Sequence, residues 1–176
     1  MTHTPHEAPD GVSSSKKLGF TYRVEAYNKD GVLVDSEVQF NRMPLEILDY
    51  TMNAAYKQGP QFGQWYVGLF KGNYTPTGDE KMLTLPAAAQ EFTGYNGSLR
   101  PAAVFGSVTN GRLDNTASPI ELTFTQDEEV LGGFLTNGSG KGSTAGLCAS
   151  IVRFSSPKRP GVGGVLRIYV SQELIG

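Results

Sequence analysis

Residues 120–136, Ile-Glu-Leu-Thr-Phe-Thr-Gln-Asp-Glu-Glu-Val-Leu-Gly-Gly-Phe-Leu-Thr, hold two strand patterns on either side of an acidic turn. Apolar residues alternate with polar ones over 120–125, which is the period of a half-buried β-strand. Short apolar runs follow at 130–136, 147–154 and 165–170, with no helical pattern between them. Strands at this close spacing predict a mainly β fold, an antiparallel β-sandwich or a jelly roll.

The same alternation predicts an N-terminal β-hairpin over residues 20–40. Asn28-Lys-Asp-Gly31 supplies its turn, because Gly31 can adopt a positive φ. The alternating apolar residues are Phe20, Tyr22, Val24 and Ala26 before the turn and Val32, Val34, Val38 and Phe40 after it. This pattern is typical of two half-buried strands that pair with each other.

One α-helix is predicted over about residues 44–57, where the hydrophobic period changes. Its apolar residues recur at three- and four-residue steps and form one helical stripe. They are Leu45, Leu48, Met52, Ala55 and Tyr56. Asn41 is expected to cap this helix, Pro44 suits its first turn, and Gly59-Pro60 ends it. We expect the helix to dock on the β-sandwich.

The domain organisation follows from composition. Residues 1–17 offer almost nothing to bury and are predicted to form a flexible polar N-terminal arm. Residues 18–176 are predicted to form a single β-sandwich domain. The first residues lack the charged and apolar regions of a signal peptide, and no stretch approaches the roughly 18 apolar residues of a membrane helix. We therefore expect a chain made in the cytoplasm that does not enter a membrane.

The chain carries few of the residues on which catalysis most often depends. Both histidines, His3 and His6, lie in the arm, which argues against histidine-based triads and most catalytic zinc sites. Cys148 is the only cysteine, which excludes an intrachain disulfide framework and a multi-cysteine zinc site. The 15 basic and 17 acidic residues give a net charge of −2, which offers no basis for binding nucleic acid. We predict no catalytic set, no cofactor and no metal site.

Three patterns suggest chemistry, and each has a simpler interpretation. The Gly-rich segment 137–144 lacks the order of a phosphate-binding loop, since Lys141 is followed by Gly142, and it predicts a hairpin loop. The acidic residues at 79–80 and 127–129 are more typical of solvated turns than of a calcium site. A carboxylate-pair glycosidase stays open as a hypothesis, although no acid lies within an apolar stretch that would raise its pKa.

A protein without a catalytic set functions through its surface, and five residues are candidates for contacts with a partner. They are Tyr74, Tyr95, Lys141, Lys158 and Arg159. The two tyrosines are expected to be exposed and able to stack on a sugar or on another protein. Lys141 lies in the Gly-rich loop, and the two remaining basic residues lie in residues 155–160, which are predicted to form a loop.

A resemblance to a known family rests on a succession of segments between about residues 41 and 170. The first is Trp-Tyr-Val-Gly-Leu-Phe-Lys-Gly-Asn-Tyr-Thr-Pro at 65–76, and the helix with its Leu48-Asp49 pair precedes it. The further segments, in order, are 85–95, 114–118, 121–125, 130–135, 153–157 and 165–168. Together they resemble small virion structural proteins of tailed bacteriophages. The hairpin at 20–40 and the arm have no counterpart in this resemblance.

The resemblance implies a non-enzymatic structural component of a phage particle, made in the cytoplasm of the host bacterium and located in the virion. We expect it to assemble as a ring or trimer on the head or at the head–tail junction, in a decoration, neck or collar role. Its expected partners are copies of itself and other virion proteins, such as capsid, portal or tail components. The alternative is a receptor- or glycan-binding module of a tail fibre that uses Tyr74 and Tyr95.

Overall fold

Two antiparallel β-sheets pack against each other in the computed structural model, which describes residues 18–41 and 43–174. The strands are β1 (Phe20–Tyr27), β2 (Leu33–Phe40), β3 (Trp65–Phe70), β4 (Glu91–Phe92), β5 (Ala102–Ala103), β6 (Arg112–Asp114), β7 (Ile120–Thr123), β8 (Val130–Thr136), β9 (Cys148–Lys158) and β10 (Val165–Glu173). The predicted antiparallel β-sandwich with one docked helix is confirmed. The predicted arm at residues 1–17 lies outside the described residues.

The first sheet has the strand order β2–β1–β10–β6, and β7 also pairs with β10. The predicted hairpin is confirmed, since β1 and β2 pair antiparallel and Gly31 adopts a φ of +76° in the turn between them. Tyr22 and Val24 of β1 and Leu166 and Ile168 of β10 point to the core, as their alternation predicts. The centre of this sheet is therefore anchored by burial on one face.

The second sheet has the strand order β4–β3–β8–β9, and β5 also pairs with β3. Close packing in this sheet depends on two glycines. A Cβ at Gly68 would lie 2.2 Å from the ring of Phe134, and a Cβ at Gly132 would lie 2.1 Å from the ring of Phe70. These glycines leave space for aromatic rings over neighbouring strands, and any larger residue would displace the rings.

Two helices lie between strands. The first, α1 (Leu45–Tyr56), has Glu46 in its first turn, where a carboxylate interacts favourably with the helix dipole. The second, α2 (Leu85–Ala88), is a single short turn before β4. The predicted boundaries of the long helix, about 44–57, agree with the structure.

Two local predictions are wrong. Asn41 does not cap α1, because its side chain accepts a hydrogen bond from the Phe20 N–H at 2.6 Å and donates one to Ser150 Oγ, and so ties β1 to β9. Residues 155–158 are not a loop, because β9 continues to Lys158. The register of β9 against β8 shifts at this end, and Pro157 is tolerated there because β9 is the last strand of its sheet.

Candidate assembly surface

The apolar side chains of β2 point away from the core. Val34, Val38 and Phe40 are 54%, 62% and 48% exposed, whereas the alternating apolar residues of β1 are almost fully buried. Val32, which directly precedes this strand, is exposed as well. We name these four residues the β2 row. Alternation predicted the two faces of β2 correctly, but it is the polar face that points inward.

A buried ammonium group explains the orientation of β2. The Lys158 side chain is fully buried, and its Nζ donates hydrogen bonds to Asp35 Oδ2 and Glu37 Oε2, both at 2.7 Å. Glu37 also accepts hydrogen bonds from the N–H and the hydroxyl of Ser155 at 3.1 and 2.6 Å. The acidic face of β2 must therefore face β9, and the opposite apolar face is left to solvent.

Lys158 remains charged in this cluster. Burial disfavours the ammonium form, but the hydrogen bonds and charges of Asp35 and Glu37 outweigh it and raise the pKa of Lys158. The cluster joins the edge strand of one sheet to the edge strand of the other. Sequence analysis missed it, although acidic residues two apart on a strand, here 35 and 37, necessarily share one face.

The outer face of α1 is apolar as well. The helix docks on the sandwich through Ile47, whereas Leu45, Met52 and Tyr56 are 58%, 60% and 77% exposed. The predicted apolar stripe is therefore wrong as a docking face, because most of it points to solvent. Leu45, Met52 and Tyr56 share one helical face, and we name them the α1 stripe.

An aromatic cluster fixes α1 in this orientation. Tyr50 stacks on Phe62 with ring centroids 4.9 Å apart, and it meets the edge of Trp65 at 6.3 Å. The Tyr50 hydroxyl also accepts a hydrogen bond from the Phe62 N–H at 2.9 Å. Tyr50 adds to the contacts that Ile47 makes with the core and leaves the α1 stripe outside.

The Gly-rich segment is held by a buried ion pair. Both Nε and Nη2 of Arg100 donate to the Glu91 carboxylate, at 2.8 and 2.7 Å, and the two side chains are almost fully buried. Arg100 also donates to the carbonyl oxygens of Gly138 and Ser143 in that segment. Residues 137–144 form the predicted connection between β8 and β9, and Arg100 makes it part of the folded structure.

Two of the five candidate contact residues lie together. The Nζ of Lys141 sits 3.7 Å from the centre of the Tyr95 ring and donates to the Tyr95 carbonyl oxygen at 2.6 Å. Burial lowers the pKa of Lys141 and raises that of Tyr95. Tyr95 is only 3% exposed, so the expectation that its ring is available to a sugar or partner is wrong.

The other three candidate residues are dispersed. Tyr74 is half-buried against Phe70, with ring centroids 6.3 Å apart, and Arg159 is exposed and paired with Asp127 at 2.8 Å. Lys158 is buried in the cluster already described. The five residues therefore do not form one surface, and their role in contacts stays a prediction for those that reach solvent.

One acidic residue lies inside the fold, contrary to the expectation of solvated turns, whereas Asp79, Asp127 and Glu129 are exposed as expected. Glu80 is buried and accepts hydrogen bonds from the backbone N–H groups of Thr77 and Gly78. Cys148 is buried as predicted, and burial raises the pKa of its thiol. Within residues 18–41 and 43–174, no group of three or more His, Cys, Asp or Glu side chains is arranged to hold a metal ion.

Comparison with known proteins adds no further evidence. No protein-family model matches the chain, and neither a curated protein nor a solved structure is detectably similar to it. None of the described helices is long and apolar enough to cross a membrane. The functional argument therefore rests on the two exposed apolar surfaces, the β2 row and the α1 stripe, which only residues 41–44 separate along the chain.

Proposed function

We propose that the protein is a non-enzymatic structural component of a tailed-phage particle and that it assembles with copies of itself. The observation that carries this proposal is the β2 row, an apolar face on an edge strand that the rest of the described chain leaves uncovered. Exposed apolar patches that persist in a well-packed β-sandwich mark interaction surfaces. The resemblance to phage virion proteins supplies the class of particle.

Burial of the exposed apolar surfaces would provide the free energy of association. Covering a half-exposed Val or Phe side chain contributes on the order of 1 kcal/mol, so the β2 row and the α1 stripe together can stabilise a contact between subunits. Repeated copies on a particle make such contacts multivalent, and each contact can then be individually modest. Capsid, portal or tail components are the further partners of this proposal. The net charge of −2 gives no support to direct binding of nucleic acid.

The receptor- or glycan-binding alternative has less support from the geometry. It relied on exposed rings at positions 74 and 95, and Tyr95 is buried while Tyr74 is half-buried. Sugar-binding surfaces need an accessible aromatic face with polar groups around it. No specific observation in the described part of the chain favours such a surface over an assembly contact.

The first test is the mass of the purified chain in solution, measured by light scattering on a sizing column. We expect a defined multiple of the 18.9 kDa chain. Val38→Glu should lower that mass, because it places a charge within the β2 row. The fold should tolerate this charge, since position 38 is exposed and lies opposite Arg23 of the same chain. Val162→Glu is the matched control, since Val162 is similarly exposed but lies in a loop outside both surfaces.

A second measurement tests the particle assignment itself. Mass spectrometry of purified virions should detect the chain at a fixed copy number relative to the capsid protein. Absence from purified particles would contradict the proposed function even if the isolated chain forms oligomers. A monomer in solution that is nevertheless present in particles would mean that assembly needs the particle as a template.

A further inference from the structure

The edge strands of the two sheets are protected unequally. Strands β4, β5, β6 and β7 are two to four residues long, and β9 carries a register shift and Pro157. Short strands, irregular register and proline all hinder pairing with another chain. In contrast, β2 has eight residues, no proline and no basic residue, and its register against β1 shifts only at its N-terminal end, at Val34. Among the described strands, β2 is thus the edge best suited to accept a further strand.

The backbone groups that β2 offers can be derived from its pairing with β1. Residues in an antiparallel ladder alternate between pairs that exchange hydrogen bonds and pairs that do not. The Asn41 N–H donates to the Phe20 carbonyl oxygen, so position 41 belongs to the first kind, as do 39, 37 and 35. The backbone groups of residues 36, 38 and 40 therefore point to the open side, and the side chains at these positions face outward. The regular pattern ends at the register shift beside Val34, and both backbone groups of Val32 bond to Asn28 within the hairpin.

We propose that β2 pairs antiparallel with β2 of a second copy, about a twofold axis at Ser36. The inference deepens the proposed function, on which it rests, by naming the partner strand and its register. Centred on Ser36, the pairing places Val34 opposite Val38 of the second copy and brings Phe40 to the end of the second copy's strand. Val34 and Val38 of the two copies then form two apolar cross-strand pairs, and the small polar Ser36 meets itself.

Neighbouring registers are less complementary. A shift by one residue would pair inward side chains with outward ones and misplace the free backbone groups. A register centred on position 37 would place Glu37 opposite Glu37 and Ser36 opposite Val38. A register centred on position 35 would place Asp35 opposite Asp35. Only the Ser36-centred register matches the apolar residues and also avoids identical acids opposite each other.

The size of the contact fits a second copy. Side chains of this kind offer on the order of 150 Å² each when free, so the four half-exposed ones of the β2 row present roughly 300 Å² per copy. That is within the range of the biggest apolar patch on a typical monomer, about 300–600 Å². In the pair, the second copy covers the backbone edge and one flank of these side chains, and their outer ends stay on the open face of the joined sheet. The contact is small, as expected for one that is repeated in an assembly.

The charges on the inner face are compatible with this register. Asp35 would lie opposite Glu37 of the second copy, and each copy's Lys158 already holds both of its own carboxylates at 2.7 Å. Two buried ammonium groups would thus lie among four carboxylates at the centre of the pair. A twofold contact through β2 leaves the α1 stripe free for a second contact within a ring or trimer. Dihedral assemblies combine a twofold interface with a ring interface in this way.

Cysteine cross-linking tests the register directly. In the proposed pair, the two Ser36 Cα atoms lie about 5.5 Å apart, which is within the range that a disulfide spans. Ser36→Cys should therefore give a covalent dimer on a non-reducing gel under mild oxidation. The native Cys148 does not interfere, because it is fully buried.

Two variants control for random collision. Val34 is also exposed, but in the pair the two Val34 residues lie four positions apart along the strands, about 14 Å, so Val34→Cys should not cross-link. The double variant Val34→Cys with Val38→Cys should cross-link, because the two positions face each other. Efficient cross-linking of Val34→Cys alone would overturn the register.

The outcomes separate this inference from the proposed function. A defined oligomer by light scattering, with no dimer from Ser36→Cys, would overturn β2 pairing and leave particle assembly standing. A third outcome is a monomeric wild type that virions contain and that gives no cross-link as Ser36→Cys. It would mean that β2 contacts a different protein, and it would also overturn the β2 pairing. A Ser36→Cys dimer in a chain absent from virions would support the pairing and contradict the phage assignment.

Discussion

β1 and β2 are adjacent strands of one hairpin with the same length and the same alternation, yet their apolar faces point in opposite directions. The apolar residues of β1 are buried between the sheets, as Val24 shows, whereas those of β2 are about 50–60% exposed, as Val38 shows. The paired residues obey one ladder, since Val24 lies opposite Glu37 and Arg23 lies opposite Val38. Position in the sheet, and not the pattern, decides what each face meets.

The difference shows what a period of two can predict. Alternation says that a strand has two unlike faces, and it leaves open which face the fold covers. For β1 the apolar core decides, because the strand lies between β2 and β10. For β2 the deciding group is Lys158, whose ammonium requires acidic partners on the inner side. In an edge strand, such a local ion contact can determine which face points inward, even when this leaves the apolar face exposed to solvent.

The largest expected effect comes from placing the same charge on each strand. Val24→Glu buries a carboxylate without a partner and should lower the free energy of unfolding by about 4 kcal/mol or abolish folding. Val38→Glu should change it by less than about 1 kcal/mol, because the position is exposed and lies opposite Arg23. Urea denaturation at a concentration where the chain is monomeric measures both. Similar losses for the two variants would contradict the orientation of β2.

Removing the buried cation should have the next largest effect. Lys158→Met leaves Asp35 and Glu37 facing each other without a counter-charge, and we expect a loss of about 2–3 kcal/mol at neutral pH. Urea denaturation of the variant and the wild type gives the difference. The triple variant Lys158→Met, Asp35→Asn and Glu37→Leu serves as the control. It removes both carboxylates as well as the ammonium group and should recover most of the lost free energy of unfolding.

The pH dependence of the Lys158 contribution has a defined sign. Its pKa is higher in the folded chain than in the unfolded chain, so its contribution is complete below the unfolded value and is lost as the pH rises through the folded value. The wild type should therefore lose this stability above about pH 10.5, and Lys158→Met should not show that loss. Parallel alkaline losses in both proteins would mean that other groups dominate.

Much of the fold could be predicted because its elements depend on local patterns. The alternation along residues 20–40, the change to a helical period after 44 and the apolar runs from 120 onward each specify one element within its own sequence window. The turn at Gly31 agrees with these patterns, because its positive φ is a local property of glycine. Element type therefore followed from sequence, and the boundaries were in error mainly at the end of β9.

The candidate site could not be predicted, because it depends on contacts between distant segments. Asp35 and Lys158 are far apart in sequence, and only the packing of β2 on β9 brings them together. Asn41 was expected to cap α1, but its side chain forms hydrogen bonds with Ser150 and Phe20 instead. Tyr95 was expected to be exposed, but the loop that Arg100 holds covers it with Lys141. Each error concerns which partner a residue finds, and that is a tertiary property.

The smallest expected effect is the difference in stability between variants of the two carboxylates that bind Lys158. Both accept a hydrogen bond from Nζ at 2.7 Å, but the Glu37 side chain is 9% exposed and the Asp35 side chain is 39% exposed. Glu37 also accepts two hydrogen bonds from Ser155, so Glu37→Gln should cost about 1–2 kcal/mol. Asp35→Asn should cost less than about 1 kcal/mol, because solvent screens the exposed pair. Equal losses in urea denaturation would mean that the charge of Lys158 alone, and not the contact of Glu37 with β9, turns the apolar face of β2 outward.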